Sequence, residues 1–101
     1  MKRGIAYHEK YVQYDLGADH PFRGDRFINS MRLFEKEGLL HLPNVTILEP
    51  NPILREDLLR VHDEKYVDLI FRLAKENTHY DIETPVSPAI LEAALLIAGG
   101  A

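Results

Sequence analysis

The chain contains no cysteine in its 101 residues. That excludes a disulfide framework, a thiol nucleophile and a thiolate metal site. Basic residues are in the minority, 12 Lys and Arg against 16 Asp and Glu, for a net charge of −4. A dedicated nucleic-acid binder gathers its cations into a patch, whereas the only adjacent basic pair here is Lys2-Arg3. No nucleic-acid partner is expected. The six glycines form no Gly-rich loop after a strand, so nothing is built to cradle a phosphate. Long apolar runs are missing as well. The N-terminus lacks the apolar core of a signal peptide, and the stretch after Pro88 runs for 13 residues, short of the roughly 20 that a bilayer requires. A cytoplasmic protein with no membrane partner is the expectation.

What is present is an ordinary globular composition, 46% hydrophobic and 28% charged, in a length suited to one domain. Gly4 to His8 has the pattern of a short buried strand. Tyr11 to Arg23 shows neither helical nor strand period and is expected to be a long loop, the kind that often carries function. Asp25 is expected to cap a helix running to about Glu37, with Phe27, Ile28, Met31 and Phe34 on one face and Gly38 as its left-handed stop. Asn44 to Leu48, between Pro43 and Pro50, predicts a second strand. Strand, crossover helix and strand make a βαβ unit with parallel strands.

Further on, Arg55 to Val61 predicts a short helix. Asp63 is placed to cap another that runs to about Glu76 and buries Tyr66, Val67, Ile70, Leu73 and Ala74. Asn77 to Pro88 is expected to be a polar loop carrying Asp81 and Glu83. Ser87-Pro88 then has the form of an N-cap and first-turn proline. The helix that follows, residues 88–101, has Glu92 as its one charge. A helix apolar on all sides must be covered on all sides, and a domain of this size has little interior to spare. The expectation is α/β architecture belonging to something larger, with the chain as its opening segment.

Candidate chemistry is sparse. The five histidines, His8, His20, His41, His62 and His79, have no spacing that would place metal ligands on one face. His62-Asp63 is expected to be a helix junction with Asp63 as cap, and His41 a solvated or capping side chain. Arg23 and Arg26 flank the first helix start, each open to surface ion pairing or to a site role. Tyr7 ends the first strand, where open α/β sheets bind ligands, although core packing is the plainer role. Asp81 and Glu83 have no evident basic partner in sequence, as solvated loop carboxylates often do not. Gly99-Gly100 permits close packing or a cap.

Residues Tyr7-His8, Tyr14-Asp15-Leu16-Gly17 and His20-Pro21-Phe22-Arg23-Gly24-Asp25-Arg26 together resemble the N-terminal region of the histone deacetylase superfamily. The resemblance is to its prokaryotic branch, the acetoin utilization proteins and acetylpolyamine amidohydrolases. Leu58 to Val67, Thr84 to Pro88, Glu92-Ala93-Ala94 and Ala98-Gly99-Gly100 extend the likeness in order along nearly the whole chain. The resemblance implies an arginase-like three-layer α/β/α fold, of which residues 1–101 would be the N-terminal segment, a βαβ unit plus additional helices. It implies hydrolysis of N-acetyl amides of lysine or polyamines by one zinc ion held by two Asp and one His, with a His pair and a Tyr assisting. None of those motifs occurs in this sequence, so this segment by itself is expected to be inactive and to hold no metal, zinc belonging to the full-length protein.

Two roles carry over from the resemblance. Glu83, two residues before Pro85, stands where the family usually has a substrate-orienting Asp at the rim, and Asp81 is the alternative if the loop shifts. Arg26 matches the arginine lining an internal channel, where it would attract released acetate. The expected partner is the catalytic portion that follows. The alternative from a different class is a free-standing, non-catalytic binding domain that self-associates through helix 88–101.

Overall fold

The computed structural model describes residues 2–17, 19–20, 22–81 and 84–101. Two strands, β1 (Arg3–Ala6) and β2 (Val45–Leu48), lie parallel, with Arg3 opposite Val45 and Ala6 opposite Leu48. Parallel neighbours need a long crossover, and helix α1 (Asp25–Lys36) lies within it, so the expected βαβ unit is present. The first strand is shorter than expected because the chain turns after Tyr7, whose amide still donates to the Leu48 carbonyl at 3.0 Å. His8 makes that turn: its Nδ1 accepts from the Lys10 amide at 3.0 Å and starts a 3-10 helix, Glu9–Gln13. Part of the expected loop from Tyr11 onward is therefore helical. A single short 3-10 segment is too brief to print a period in the sequence.

Helix α1 begins one residue earlier than expected. Gly24 is the N-cap and provides no side-chain bond, while Asp25 occupies the first turn, where a carboxylate favours the helix dipole. Phe27, Ile28, Met31 and Phe34 share one half-buried face. The stop is as expected, with Gly38 at φ 77, followed by a 3-10 turn, Leu39–His41.

Helix α2 (Arg55–Leu58) ends before the expected Val61. The chain must become extended at Asp63, whose carboxylate then caps α3 (Glu64–Glu76) by accepting from the Lys65 amide at 3.1 Å. Val67 and Ala74 are buried on α3, Ile70 and Leu73 half-buried, and Tyr66 exposed. Asn77, left-handed at φ 54, closes the helix. The expected polar loop contains a small antiparallel pair, β3 (His79–Asp81) and β4 (Thr84–Pro85). Strands this short and polar carry no alternation to detect. Proline in β4 is compatible with an edge position.

Helix α4 (Pro88–Gly100) starts as expected, with Ser87 Oγ accepting from the Ile90 amide at 3.1 Å. It is the centre of the packing. The buried side chains include Tyr11, Val67, Ala74, Val86, Ala93 and Leu96, which lie on α4 or on the segments around it, and Pro50. One flank of α4 meets the backbone of residues 51–53 directly. The Ile53 amide donates to the Leu95 carbonyl at 2.9 Å, and a Cβ on Gly99 would stand 1.8 Å from the Asn51 carbonyl oxygen. Gly99 is thus a close-packing glycine.

The opposite half is bare. Ile47 and Leu48 of β2 are about half exposed, at 47% and 53%, though parallel sheets are normally covered on both faces. The radius of gyration is 15.5 Å and the extents 44 × 33 × 16 Å, against about 13 Å for a compact chain of 100 residues. The molecule is a slab, 16 Å in its shortest extent.

Candidate functional site

The strongest site begins just past the carboxyl end of β1. The Tyr7 ring meets Tyr11 edge-on, with centroids 5.7 Å apart, and Tyr11 meets Phe27 of α1 in the same way at 5.4 Å. Beside this aromatic row, in the first turn of α1, the Arg26 guanidinium lies over the rings of Phe27 at 4.7 Å and Phe22 at 5.1 Å. The two arginines that the sequence left open separate here. Arg23 pairs with Asp25 at 3.1 Å on the surface, whereas Arg26 has no carboxylate partner among the described residues. A guanidinium can lie over aromatic rings and still grip a planar anion with two charge-assisted hydrogen bonds.

The loop leading to Arg26 is tied by Asp15. Its Oδ1 accepts from the Gly17 amide at 2.9 Å and its Oδ2 from the Gly24 amide at 3.0 Å. These two bonds hold the Asp15 carboxyl below the usual aspartate range, and the positive charge of Arg23 adds to them. The Phe22 carbonyl accepts from the Leu16 amide at 3.1 Å, and His20 Nδ1 accepts from the Phe22 amide at 3.0 Å. Gly24 is buried, and a Cβ there would lie 1.8 Å from the Val12 carbonyl oxygen. Asp15 was missed as a site residue from sequence. Its signal was the Asp-x-Gly spacing of a side-chain-closed turn.

Asp81 stands exposed on β3, in a hairpin that forms a sheet separate from β1–β2. Glu83 lies outside the described residues. The hairpin follows the C-cap of α3, where the Thr78 amide donates to the Leu73 carbonyl at 3.1 Å and the Val86 amide to Thr78 at 2.7 Å. Its Tyr80 ring stands perpendicular to Tyr66 of α3, 6.1 Å between centroids, and Tyr66 in turn meets His62 at 5.2 Å.

Four of the five histidines, His8, His20, His41 and His62, are engaged locally. His8 Nε2 lies 3.5 Å from Glu49, His41 bonds Glu35 at 2.7 Å, and His20 and His62 have the partners given above. Among the described residues no three His, Asp or Glu side chains come together as a metal site requires. The described residues therefore do not fit the zinc that the resemblance implies. No described helix is long and apolar enough to cross a membrane.

The model of the histone deacetylase domain matches residues 20–101. This chain belongs to the histone deacetylase family. It is 34% identical over 101 residues to a protein of Archaeoglobus fulgidus described as "Probable deacetylase", a match covering 100% of this chain and 28% of that relative. The crystal structure of the HDA15 HD domain superposes with a TM-score of 0.83 over 98% of this chain and 29% of that one, at 19% identity. The fold is thus that of part of the deacetylase domain, and the chain spans under a third of the length of either protein.

Proposed function

We propose that this chain forms the N-terminal portion of a zinc-dependent deacetylase-like amidohydrolase acting on N-acetyl amides, acetyl-lysine or acetylpolyamines, in the manner of the acetoin utilization and acetylpolyamine branch. The observation that carries the reading is Arg26: a guanidinium over the rings of Phe22 and Phe27 in the first turn of α1, with no carboxylate partner among the described residues. Acetate, the product common to such substrates, is a planar anion matched to that N–H edge. In this reading Arg26 draws acetate into an internal channel, and the hairpin bearing Asp81, with Glu83 beyond it, orients substrate at the rim.

Zinc in such an enzyme would polarise the acetyl carbonyl and activate water. Residues other than those described would have to hold it, so the part assigned to this chain is binding and orientation. The test is to produce the chain within the complete reading frame that encodes it, supply zinc, and assay release of acetate from acetyl-lysine peptides and from acetylpolyamines. Zinc-dependent turnover is expected, and its absence would overturn the proposal. With turnover in hand, Arg26→Ala should slow acetate release.

A second reading, self-association through helix 88–101 without catalysis, draws support from the uncovered apolar surface of the slab. It ranks lower because the large apolar side chains left exposed lie elsewhere, among them Ile47, Leu48, Leu54 and Val61. Sedimentation over a range of concentrations separates the two: a monodisperse oligomer abolished by charged substitutions on α4 is what this reading requires.

A further inference from the structure

The three long helices begin in different ways. α3 and α4 are each started by their own N-cap side chain, Asp63 and Ser87. α1 starts at Gly24, which has none. Nor is there room for one, since the Val12 carbonyl occupies the place where a Cβ would stand. The missing fixture comes from elsewhere in the chain. Asp15, nine residues upstream, accepts the Gly24 amide with one oxygen and the Gly17 amide with the other. In a capping box the N-cap amide is held by a carboxylate from inside the helix. Here the same amide is held by a carboxylate from outside it, which ties Asp15 and Gly17 to the helix start at Gly24.

What that tie controls lies two residues on. Arg26 is in the first turn, its amide directed at the Arg23 carbonyl at 3.4 Å, and one of its two ring contacts, Phe22, belongs to the segment between Asp15 and Gly24. The other, Phe27, belongs to the helix. The guanidinium therefore contacts one ring of the segment and one of the helix. We propose that Asp15 is the positioning residue for Arg26: by holding the amides of Gly17 and Gly24 it sets where the guanidinium stands and leaves its N–H edge free. The preference of Asp15 for the ionised form agrees with an oxygen pair already committed to amide donors.

This deepens the channel reading of Arg26 and rests on it only for the identity of the anion. The test uses the isotopically labelled 101-residue chain and proton NMR. In the wild type, the Arg26 side-chain protons are expected upfield of those of Arg23, because two aromatic rings shield them. In Asp15→Ala that displacement should fall by more than half, while the Val67 and Leu96 methyl signals of the α3–α4 region hold their positions. Full retention of the displacement would overturn the proposal.

If Asp15→Ala also loses the methyl dispersion, acid titration of the wild type decides. The positive charge of Arg23 also faces the carboxylate, and His20 bonds the Phe22 amide. The Arg26 displacement should then collapse in step with protonation at the Asp15 carboxyl carbon, and independence of the two signals would overturn the proposal. Adding sodium acetate tests the underlying reading separately. Movement of the Arg26 signals supports an anion site, whereas their constancy overturns that reading and leaves Asp15 to be judged on the displacement alone.

Discussion

The α4 half and the β1–β2 half of this molecule are built from similar apolar residues and packed to opposite degrees. Around α4 the chain is in contact to the limit of its backbone: Gly99 lets residues 51–53 lie against the helix, and Tyr11, Ala93 and Leu96 are buried. On β2, Ile47 and Leu48 remain about half open to solvent. Burial stabilises only where surface leaves water. The difference teaches that the stability of this slab resides in the α4 seam, and that the sheet is held by its backbone ladder.

The largest expected effect strikes the seam. Gly99→Ala puts a methyl 1.8 Å from the Asn51 oxygen, which only backbone movement can relieve, and should cost at least about 3 kcal/mol in chemical denaturation. A midpoint unchanged from wild type would break the comparison. Leu96→Ala should follow at about 3 kcal/mol, whereas Ile47→Ala on the exposed strand should cost under about 1 kcal/mol. Equal losses from that pair would show that the two halves are not distinct.

Removing the α4 cap with Ser87→Ala is expected to lower stability by about 1 kcal/mol, read from thermal unfolding by circular dichroism. The acid response is a further test. Asp15 has a folded-state pKa below its unfolded one, so it binds fewer protons when folded. Its contribution is complete above the ordinary aspartate range and disappears as pH falls through the lowered value. Asp15→Asn should flatten the acid limb of stability against pH, and leave the neutral-to-alkaline limb unaltered. Smallest of all is the Lys10–Glu92 pair, 2.6 Å apart but half exposed on both sides. Glu92→Gln should produce a change near the scatter of the measurement, smaller still at high salt.

Much of the architecture was legible because its signals are local. The parallel pair, the crossover helix, the Gly38 stop, the Asp63 and Ser87 caps and the bland role of His62 all follow from side chains within a few positions of what they act on. The errors share one physical cause. The start of α1 was assigned to Asp25 because the carboxylate that holds its N-cap amide comes from Asp15, in a segment with no period of its own. The 3-10 helix at 9–13 and the hairpin at 79–85 are too short to show a pattern and are held by contacts distant in sequence, such as Tyr11 on α4 and Tyr80 on Tyr66. The candidate site was legible only in part. Resemblance pointed to Arg26, whereas local sequence separated it from Arg23 only slightly, by its place just before the apolar Phe27 and Ile28.

By itself the sequence determined the parallel strand pair, the main helices, the α/β class and the demand of an all-apolar final helix for cover, because periodicity, capping and composition act over short stretches of chain. The family was legible through the resemblance of its motifs. Only the tertiary structure decided which glycines are contact points, which arginine is paired and which is stacked, and which carboxylate ties the loop. Those outcomes depend on two backbones meeting at distances that no local pattern encodes.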